Sequence, residues 1–368
     1  MKVALLSGAS SIHTIRWANG LSSAGLEVHV ISQHPPVEKL SSNVILHLLP
    51  YRGVLGYFLM VPSVKKILKN ISPDIVNAHY ASGYATTARL VGRRPWILSV
   101  WGTDVYDFPY KSIFHMWLVK KNIKSADAVA STSHCMAEHT KGLAPELDDI
   151  NITPFGVDLS GFSSIKRKPG SASDKITIGT VKTMSHNYGI DLLLKAFADV
   201  CKKIELDGTY SFVDLKLRLV GDGADIGSLK VLAAELGIAD KVSFVGRVNH
   251  ENVPGELEKL DIYVALSRKE SFGVAIIEAG AAGRPVVVSD AGGLPEVVVN
   301  GKTGLVVPGE SPEMAAEAIL KLVKDRLLMK RMGELARQHV SKNYSWDASV
   351  EKMVDLYKRV ISERIKAG

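Results

Sequence analysis

Two carboxylates lie eight residues apart in the run Glu270-Ser-Phe-Gly-Val-Ala-Ile-Ile-Glu278. Between them, a small Ser-Phe-Gly turn opens an apolar stretch that predicts a buried helix. Backbone N–H groups at the start of such a helix can bind a diphosphate. Glu270 precedes the helix within reach of a sugar, and Glu278 lies about two turns into it, within reach of a ribose. The run predicts a nucleotide-sugar site with these phosphate-binding residues: Ser271, Phe272, Gly273 and Val274.

Each of the two carboxylates also has a purely structural interpretation. A Glu within a helix is usually solvated. The neighbours of Glu278 are apolar, however, so its carboxylate should be buried and needs a partner, for which ribose hydroxyls would serve. Ser267 and Glu270 have the spacing of a capping box. Such a cap would precede Ser271–Gly273, where we expect a loop, and we therefore favour the binding role for both carboxylates.

Two further candidates in the second half of the chain follow predicted strands. Lys182 comes directly after Ile176–Val181, at the strand end where open α/β sheets bind ligands. Its ammonium could neutralise a leaving diphosphate, although most lysines are simply solvated. Gly221-Asp-Gly223 also follows a strand, but Ile226 replaces the third glycine of a dinucleotide loop. We expect Gly221 in a turn that borders a nucleotide pocket.

In the first half of the chain, the candidates concern the hydroxyl acceptor of the sugar. Asp104 ends the run Val100-Trp-Gly-Thr-Asp and could orient an acceptor hydroxyl. Its alternative is a turn Asp, which turn chemistry favours. Gly8–Thr14 follows the first predicted strand, so His13 and Thr14 could line the acceptor side. A lone His has many structural uses, and the structural role is the one we favour for His13.

Several other chemistries have no counterpart in the sequence. There is no His-Glu-x-x-His motif, no pair of closely spaced cysteines and no Asp-x-Asp after a strand, so we predict no metal site. Gly301-Lys-Thr303 resembles the end of a phosphate-binding loop, but Glu296 stands where its first glycine is required. No serine-nucleophile elbow is present either.

Short β-branched runs alternate with helical stretches along the whole chain. This pattern predicts parallel sheets covered by helices on both faces. The alternation is interrupted at residues 163–175 by a polar stretch rich in Ser and Lys, which we interpret as a linker. We therefore predict two α/β domains, residues 1–162 and residues 163–345.

The charge is unevenly distributed. The net charge is +7, and residues 50–130 contain eleven Lys or Arg against four Asp or Glu. An anionic partner is expected, and without a nucleic-acid motif we predict no nucleic-acid binding. The apolar segment Val54–Val61, ended by Pro62 and followed by Lys65, Lys66 and Lys69, could lie on anionic lipid or form an ordinary core helix. Two cysteines and no signal peptide predict a cytoplasmic protein, and the lipid interpretation of the basic segment would place it at the inner face of the membrane.

Taken in order, the motifs resemble family-4 retaining glycosyltransferases with the GT-B fold. The resemblance spans nearly the whole chain, and Ser267–Glu278 is its most specific part. The other matching segments are His13–Trp17, Gly25–Ser32, Pro73–His79, Val100–Asp104, Phe155–Asp158, Val220–Gly223, Val245–Val248 and Gly292–Glu296.

The resemblance implies two Rossmann-like domains whose parallel sheets face an interdomain cleft. The acceptor would bind the first domain, covered by the C-terminal helix 346–368, and the donor the second. Glu270 would contact the donor sugar, Glu278 the ribose, and Lys182 the diphosphate. Backbone near Arg247 and Val248 would meet the base.

Two positions depart from the family pattern. Trp101 stands where many members have a His that touches the donor sugar, so Trp101 is assigned to the acceptor side and Asp104 is a candidate substitute. Tyr188 stands where many have a second phosphate-binding Lys. That cation is therefore unassigned, and the candidates are His186, Arg268 and Lys269.

The expected reaction is transfer of a sugar from a nucleotide diphosphate sugar to a hydroxyl of a lipid-linked saccharide or other glycan. UDP is the likeliest nucleotide by family frequency. The resemblance implies retention of configuration by front-face attack, no metal and no cofactor besides the donor itself. Two alternatives stay open: another GT-B enzyme such as a nucleotide-sugar epimerase, and a nucleotide-binding module without catalysis.

Overall fold

The structure is a computed structural model and describes residues 1–147, 149–165, 175–210 and 213–367. The chain divides into two units. Unit 1 comprises Met1–Phe155 and Trp346–Gly368, and unit 2 comprises Gly156–Ser345. The division comes at Gly156, whereas the sequence suggested a boundary after Phe162. Most of the predicted linker, residues 166–174, lies outside the described residues.

Unit 1 is built on a seven-stranded sheet whose neighbouring strands are all parallel. The strands are β1 (Lys2–Leu6), β2 (Glu27–Ser32), β3 (Val44–Leu48), β4 (Ile75–His79), β5 (Trp96–Val100), β6 (Ala128–Ser131) and β7 (Asn151–Ile152). Their order across the sheet is β3-β2-β1-β4-β5-β6-β7. β1 therefore lies between β2 and β4, so the strand order reverses there and opens a crevice at the carboxyl ends.

Helices cover both faces of this sheet. They are α1 (Ile12–Ser23), α2 (Gly53–Leu59), α3 (Val61–Ile71), α4 (Gly83–Val91), α5 (Thr103–Tyr106), α6 (Ile113–Ser125), α7 (His134–Leu143) and, from the C-terminus, α15 (Trp346–Ala367). Helices α3, α4, α6 and α7 share a core with one face. On the other face, Asn77 of β4 donates to the Tyr357 hydroxyl of α15 at 2.8 Å. Trp17 of α1 packs edge-on against Trp346 of α15.

The segment after Tyr51 differs from the prediction. We expected Pro62 to end a helical run, but it lies in the first turn of α3, and α2 ends one turn earlier. The first turn of a helix tolerates proline because its N–H would have no intrahelical acceptor there. Pro62 therefore starts a second helix, and α2 and α3 meet at Met60.

Unit 2 contains a six-stranded parallel sheet. The strands are β8 (Lys175–Val181), β9 (Asp214–Val220), β10 (Val242–Gly246), β11 (Ile262–Ala265), β12 (Val286–Ser289) and β13 (Gly304–Val307). Their order is β10-β9-β8-β11-β12-β13, so the reversal falls between β8 and β11. The helices are α8 (Ile190–Leu206), α9 (Ile226–Glu235), α10 (Val253–Glu258), α11 (Val274–Ala281), α12 (Leu294–Val297), α13 (Pro312–Lys324) and α14 (Arg326–Asn343). The predicted arrangement of two parallel-sheet Rossmann-like domains is confirmed.

Candidate functional site

A cavity of about 610 Å³ opens at the carboxyl edge of the unit-2 sheet. Four predicted residues lie on its wall, and they follow three neighbouring strands of the sheet: Lys182 follows β8, Gly221 follows β9, and Arg247 and Val248 follow β10. Thr183, Asp222 and Gly223 also line it. The sheet topology therefore collects into one cavity residues that lie far apart in the sequence.

Two glycines let the loops after β8 and β9 approach each other closely. Gly221 has φ +138°, and a Cβ there would come within 1.9 Å of the Lys182 carbonyl oxygen. A Cβ at Gly223 would come within 2.2 Å of the Met184 carbonyl oxygen. Backbone hydrogen bonds join the same loops, with Met184 N donating to Asp222 O at 3.0 Å. The two glycines thus fix the position of Lys182 on the cavity wall.

Lys182 and Glu270 form an ion pair in a mostly buried setting, with 2.5 Å between Lys182 Nζ and Glu270 Oε2. Burial by itself lowers the pKa of Lys182, but the charge of Glu270 and its hydrogen bond outweigh burial and leave the pKa raised. Lys182 is therefore an ammonium group. Its Nζ also lies 4.6 Å from the centre of the Tyr188 ring, a favourable cation–π position.

The loop that carries Glu270 is held by the loop after β12. Gly293 N donates to the Glu270 carbonyl oxygen at 3.0 Å. Gly292 has φ +53°, and a Cβ there would lie 1.9 Å from the same oxygen. Contact this close is possible only for glycine. The second loop, Asp290–Glu296, thus acts as a support for Glu270.

Phe272 and Gly273 shape the start of α11. The Phe272 side chain is buried and packs edge-on against Tyr344, 5.9 Å between ring centres. Tyr344 in turn donates from its hydroxyl to Glu296 O at 3.0 Å. Phe272 is therefore an anchor whose backbone alone can serve a ligand. Gly273, with φ +110°, precedes Val274, whose N–H has no intrahelical acceptor because it opens α11.

Glu278 is buried in α11 as predicted from its apolar neighbours, with 8% of its surface exposed. Its Oε1 lies 3.6 Å from His250 Nε2, a neighbour that the sequence analysis did not select. The phenol of Tyr263 is buried, and its hydroxyl donates to Val181 O at 3.1 Å. Burial raises its pKa, Lys182 lowers it and Glu278 raises it further. Lys182 and Glu278 therefore act on one buried group.

The three candidates for a second phosphate-binding cation differ in their surroundings. Arg268 donates to both carboxylate oxygens of Asp191 at 2.8 Å and also pairs with Glu310. Its hydrogen bonds to Asp191 are the main reason that its pKa is raised. Arg268 is thus a structural clamp between α8 and the loop after β13. His186 and Lys269 are exposed.

Asp104 has the surroundings of a structural turn residue, which was the alternative to acceptor binding. Only 2% of its surface is exposed, and its carboxylate accepts backbone N–H groups of Ala81 (2.7 Å), Gly102 (2.8 Å) and Trp101 (3.1 Å). Burial raises the pKa of Asp104, while these hydrogen bonds lower it. Because both oxygens serve the loops after β4 and β5, the structure favours the structural alternative, and the role of orienting an acceptor hydroxyl stays a prediction.

Thr14 and His13 also differ from the prediction of an acceptor wall. Thr14 is fully buried, 2.7 Å from Ser7 Oγ, so it cannot meet an acceptor. His13 stacks on Phe155 with 4.0 Å between ring centres, and Trp101 packs edge-on against His13 at 6.0 Å. His13 and Trp101 thus belong to an aromatic cluster of unit 1, in line with the structural role favoured for His13.

His79 was missed by the sequence analysis. It ends β4, and its ring centre lies 4.3 Å from that of Trp101. Burial, assisted by His13, lowers the pKa of His79 to about 3, so the imidazole is neutral. Its Nδ1 lies 2.8 Å from Ser7 Oγ. The sequence signal that could have identified His79 is its position at the carboxyl end of a predicted strand.

A second cavity, of about 520 Å³, lies in unit 1 at the reversal between β1 and β4. Its lining includes Gly8, Ser10, Ser11 and Ile12 from the loop after β1, with His34, Tyr57, Tyr80, Ser82, Gly83 and Tyr84. Tyr84 fixes His34 through a contact of 2.9 Å between its hydroxyl and Nδ1. The predicted segment Gly8–Thr14 therefore reaches a cavity, through its first half.

Two family models match the chain. The model for glycosyl transferases group 1 matches residues 162–339, and the glycosyl transferase 4-like model matches residues 2–133. The chain is a family-4 glycosyltransferase of the GT-B fold. The predicted resemblance is therefore confirmed.

Relatives of this glycosyltransferase include an N-acetyl-alpha-D-glucosaminyl L-malate synthase of Bacillus anthracis, 28% identical over 97% of this chain and 95% of the relative. A D-inositol 3-phosphate glycosyltransferase of Corynebacterium jeikeium is 28% identical over 79% of this chain and 74% of the relative. Both names describe sugar-transfer enzymes.

Solved structures share the fold of the glycosyltransferase. A sucrose-phosphate synthase from Thermosynechococcus elongatus has a TM-score of 0.81, with 20% identity and coverage of 99% of this chain and 100% of that one. Anabaena HepE, solved in complex with UDP, has a TM-score of 0.78, with 16% identity and coverage of 97% and 99%.

The described parts of the glycosyltransferase contain neither a metal-binding cluster nor a membrane-spanning helix. No three His, Cys, Asp or Glu side chains of those parts are grouped so that they could hold a metal ion. No helix within them combines the length and the apolar character needed to cross a bilayer.

Proposed function

We propose that the enzyme transfers a sugar, with retention of configuration, from a UDP-sugar to a hydroxyl of a lipid-linked saccharide, without a metal ion. The observation that carries the proposal is the Lys182–Glu270 pair at the β8/β11 reversal, with Lys182 on the wall of the unit-2 cavity. A fixed ammonium at that place can stabilise the charge that develops on a leaving diphosphate, without a metal. HepE, of the same fold, binds UDP and UDP-glucose.

The proposed steps use the charges in the site, and the face of attack is the one that the family resemblance implies. The bond between the anomeric carbon and the phosphate oxygen breaks, and the electron pair stays on the diphosphate. Lys182 and the backbone N–H groups at the start of α11 stabilise that charge. Glu270 orients the sugar and holds Lys182 as an ammonium. The acceptor oxygen bonds to the anomeric carbon on the face that the phosphate leaves, and its proton passes to the leaving phosphate oxygen.

The acceptor class is proposed from unit 1. The unit-1 cavity presents serine and tyrosine hydroxyls beside aromatic rings, a combination suited to a polyhydroxylated ring with apolar faces. The Bacillus and Corynebacterium relatives are named for smaller acceptors, L-malate and inositol 3-phosphate. A lipid-linked saccharide also agrees with the excess of Lys and Arg in residues 50–130.

The donor part of the proposal is tested by a thermal-shift panel of UDP, GDP, ADP and their common sugar conjugates. A ligand that binds only the folded state raises the melting temperature, by about 5 °C at a hundredfold excess over Kd. We expect this shift with UDP and UDP-sugars. A shift with GDP compounds alone would replace UDP by GDP, and the absence of any shift would contradict the nucleotide-sugar donor.

The same preparation separates the two alternatives from sugar transfer. An epimerase would convert the donor sugar without an acceptor. A binding module would bind the nucleotide sugar but would release no UDP from it with any acceptor. We expect release of UDP that depends on added saccharide acceptor, because a transferase needs both substrates.

Changing Glu278 to Gln is expected to raise the Kd for UDP about tenfold while turnover at saturating donor changes less than twofold. The carboxylate is buried, and a charge-assisted hydrogen bond to a ribose hydroxyl contributes about 1.5–3 kcal/mol. Isothermal titration with UDP measures the change. Glu251→Gln, an exposed carboxylate in the same unit, is the matched control. Unchanged UDP affinity in Glu278→Gln would exclude the ribose role.

A further inference from the structure

Lys182 is held by two different groups, a carboxylate and an aromatic ring. Its Nζ lies 2.5 Å from Glu270 Oε2 and 4.6 Å from the centre of the Tyr188 ring. Only 14% of the Lys182 side chain is exposed, and a cation–π contact gains strength when the cation is shielded from water. Tyr188 also stands where the family pattern has a second phosphate-binding lysine. The ring at this position therefore acts on the lysine that remains.

The backbone fixes the position of this aromatic ring relative to Glu270. The short turn His186–Tyr188 lies against the loop after β11, which carries Glu270. Arg268 in that loop donates its backbone N–H to the carbonyl oxygen of the middle residue of the turn and its guanidinium to that of the first residue, both at 2.8 Å. Gly189, with φ +61°, permits this approach, since a Cβ there would come within 1.9 Å of the Leu266 carbonyl oxygen. The ring and the carboxylate therefore belong to two loops that are joined by hydrogen bonds.

An aromatic ring and an ammonium group at this position would have opposite effects on Lys182. A second lysine would repel Lys182 and would compete with it for Glu270. The face of an aromatic ring carries partial negative charge and attracts the ammonium. Burial lowers the pKa of Lys182, while Glu270, Tyr263 and Tyr188 raise it. Tyr188 therefore adds to Glu270 and to the phenol of Tyr263 in keeping a single lysine charged.

We propose that Tyr188 is a positioning residue for sugar transfer: its ring face holds the Lys182 ammonium at the diphosphate, so that one lysine serves where the family pattern has two. The inference rests on the proposed function, because Lys182 aids catalysis only if a diphosphate leaves beside it. The contact depends on the ring and not on its hydroxyl, so phenylalanine should replace tyrosine and an aliphatic side chain should not. The charge on the phosphate grows as the bond to the sugar breaks, so turnover should depend on this contact more than ground-state binding does.

The charge of Lys182 can be measured on the full chain in the absence of donor and acceptor. Competitive acetylation with acetic anhydride across a pH series, followed by mass spectrometry of the peptide that contains Lys182, gives the pH midpoint at which its amine becomes reactive. In Tyr188→Leu we expect this midpoint to fall by about one pH unit, because the ring no longer favours the charged form. In Tyr188→Phe it should stay within about 0.3 unit of the wild type.

Turnover and nucleotide affinity test whether the contact serves catalysis. UDP release from UDP-glucose in the acceptor-dependent assay should fall about tenfold in Tyr188→Leu and less than about twofold in Tyr188→Phe, while the Kd for UDP rises less than about threefold in either variant. The matched control is Tyr210→Leu, because Lys324 has the same two kinds of partner: Asp207 Oδ2 at 2.5 Å and the Tyr210 ring at 5.2 Å. Both tyrosines pack against the same core of unit 2, so the two variants lose comparable apolar contact.

The proposal requires that both effects follow the presence of a ring at position 188. It is supported if the Lys182 midpoint and turnover fall in Tyr188→Leu, both are retained in Tyr188→Phe, and turnover is retained in Tyr210→Leu. An unchanged midpoint in Tyr188→Leu would overturn it, as would an equal loss of turnover in Tyr188→Phe or in Tyr210→Leu. A wild type that releases no UDP would contradict sugar transfer from UDP-glucose, whereas a lower midpoint in Tyr188→Leu would still support the placement of Lys182 by the ring.

Discussion

Replacing Glu270 with Gln is expected to lower the turnover of sugar transfer about 100- to 1,000-fold, with the Kd for the nucleotide changed less than about threefold. The substitution keeps the shape of the side chain but removes the charge that lies 2.5 Å from Lys182 Nζ. Burial then lowers the pKa of Lys182 without the opposing charge of Glu270. Both the orientation of the sugar and the stabilisation of the leaving diphosphate should suffer. The rate of UDP release at saturating donor measures turnover.

A double-mutant cycle shows whether the pair acts as one unit. Lys182→Gln should also lower turnover about 100-fold or more, and the double variant should be no worse than the worse single variant, because paired groups are strongly non-additive. Glu310→Gln is the matched control, since it breaks the ion pair with Arg268 in the same unit without touching Lys182. Turnover that survives in Glu270→Gln, with only weaker donor binding, would exclude the catalytic role.

Gly292→Ala is expected to lower turnover about 100-fold although Gly292 carries no functional side chain. Its Cβ would lie 1.9 Å from the Glu270 carbonyl oxygen, so the Glu270 loop must move by more than about 1 Å to admit it. Misplacement of a catalytic group by about 1 Å can cost about 100-fold in rate. The left-handed backbone at φ +53° adds a stability cost of about 1–2 kcal/mol.

Gly301→Ala tests the effect of backbone strain alone, without displacement of the Glu270 loop. Gly301 also has a left-handed backbone, at φ +75°, but a Cβ there meets no atom within 4 Å among the described residues. We expect a similar loss of about 1–2 kcal/mol in the free energy of unfolding, with turnover within about twofold of the wild type. Denaturant unfolding and steady-state turnover, measured on both variants, make the comparison. Equal turnover in the two variants would show that the Glu270 loop tolerates the displacement.

The central strands were predictable from composition, whereas the two edge strands of the unit-1 sheet were not. Runs such as Val28–Ser32 and Ile176–Val181 are rich in β-branched residues because they are buried on both faces of a parallel sheet. β3 and β7 lie at the edges of the unit-1 sheet. Val44–Leu48 is only partly buried, and Asn151–Ile152 has two residues. Segments of that kind lack the apolar pattern that identifies a strand.

The site was predictable where chemistry is local. The buried Glu278 could be inferred from its apolar neighbours, and Glu270 from the turn beside it. Lys182 and Glu270 lie 88 residues apart, and their ion pair requires that β8 and β11 be neighbours in the sheet. No pattern within a single segment of the sequence reveals which strands are neighbours in the sheet.

The residues that have structural partners, contrary to expectation, depend on contacts that a single segment cannot reveal. Asp104 is held in part by the N–H of Ala81, 23 residues earlier and after a different strand. Thr14 is buried because its hydroxyl meets Ser7 of the preceding loop. The exposure of Ile113, Phe114 and Trp117 at the start of α6 was not predictable for another reason. His115 is the one polar residue of Ile113–Val119, so periodicity does not show which side faces water.

The return of α15 to unit 1 makes unit 2 an inserted domain within the chain of unit 1. The two ends of the insertion are paired, since Val157 N donates to Tyr344 O at 2.8 Å and Val157 forms a bridge with Ser345. Paired termini are the property that lets one domain be grafted into another. Residues 156–345 therefore form a natural cassette. Under the proposed function, exchanging this cassette between such enzymes would change the donor specificity without rebuilding unit 1.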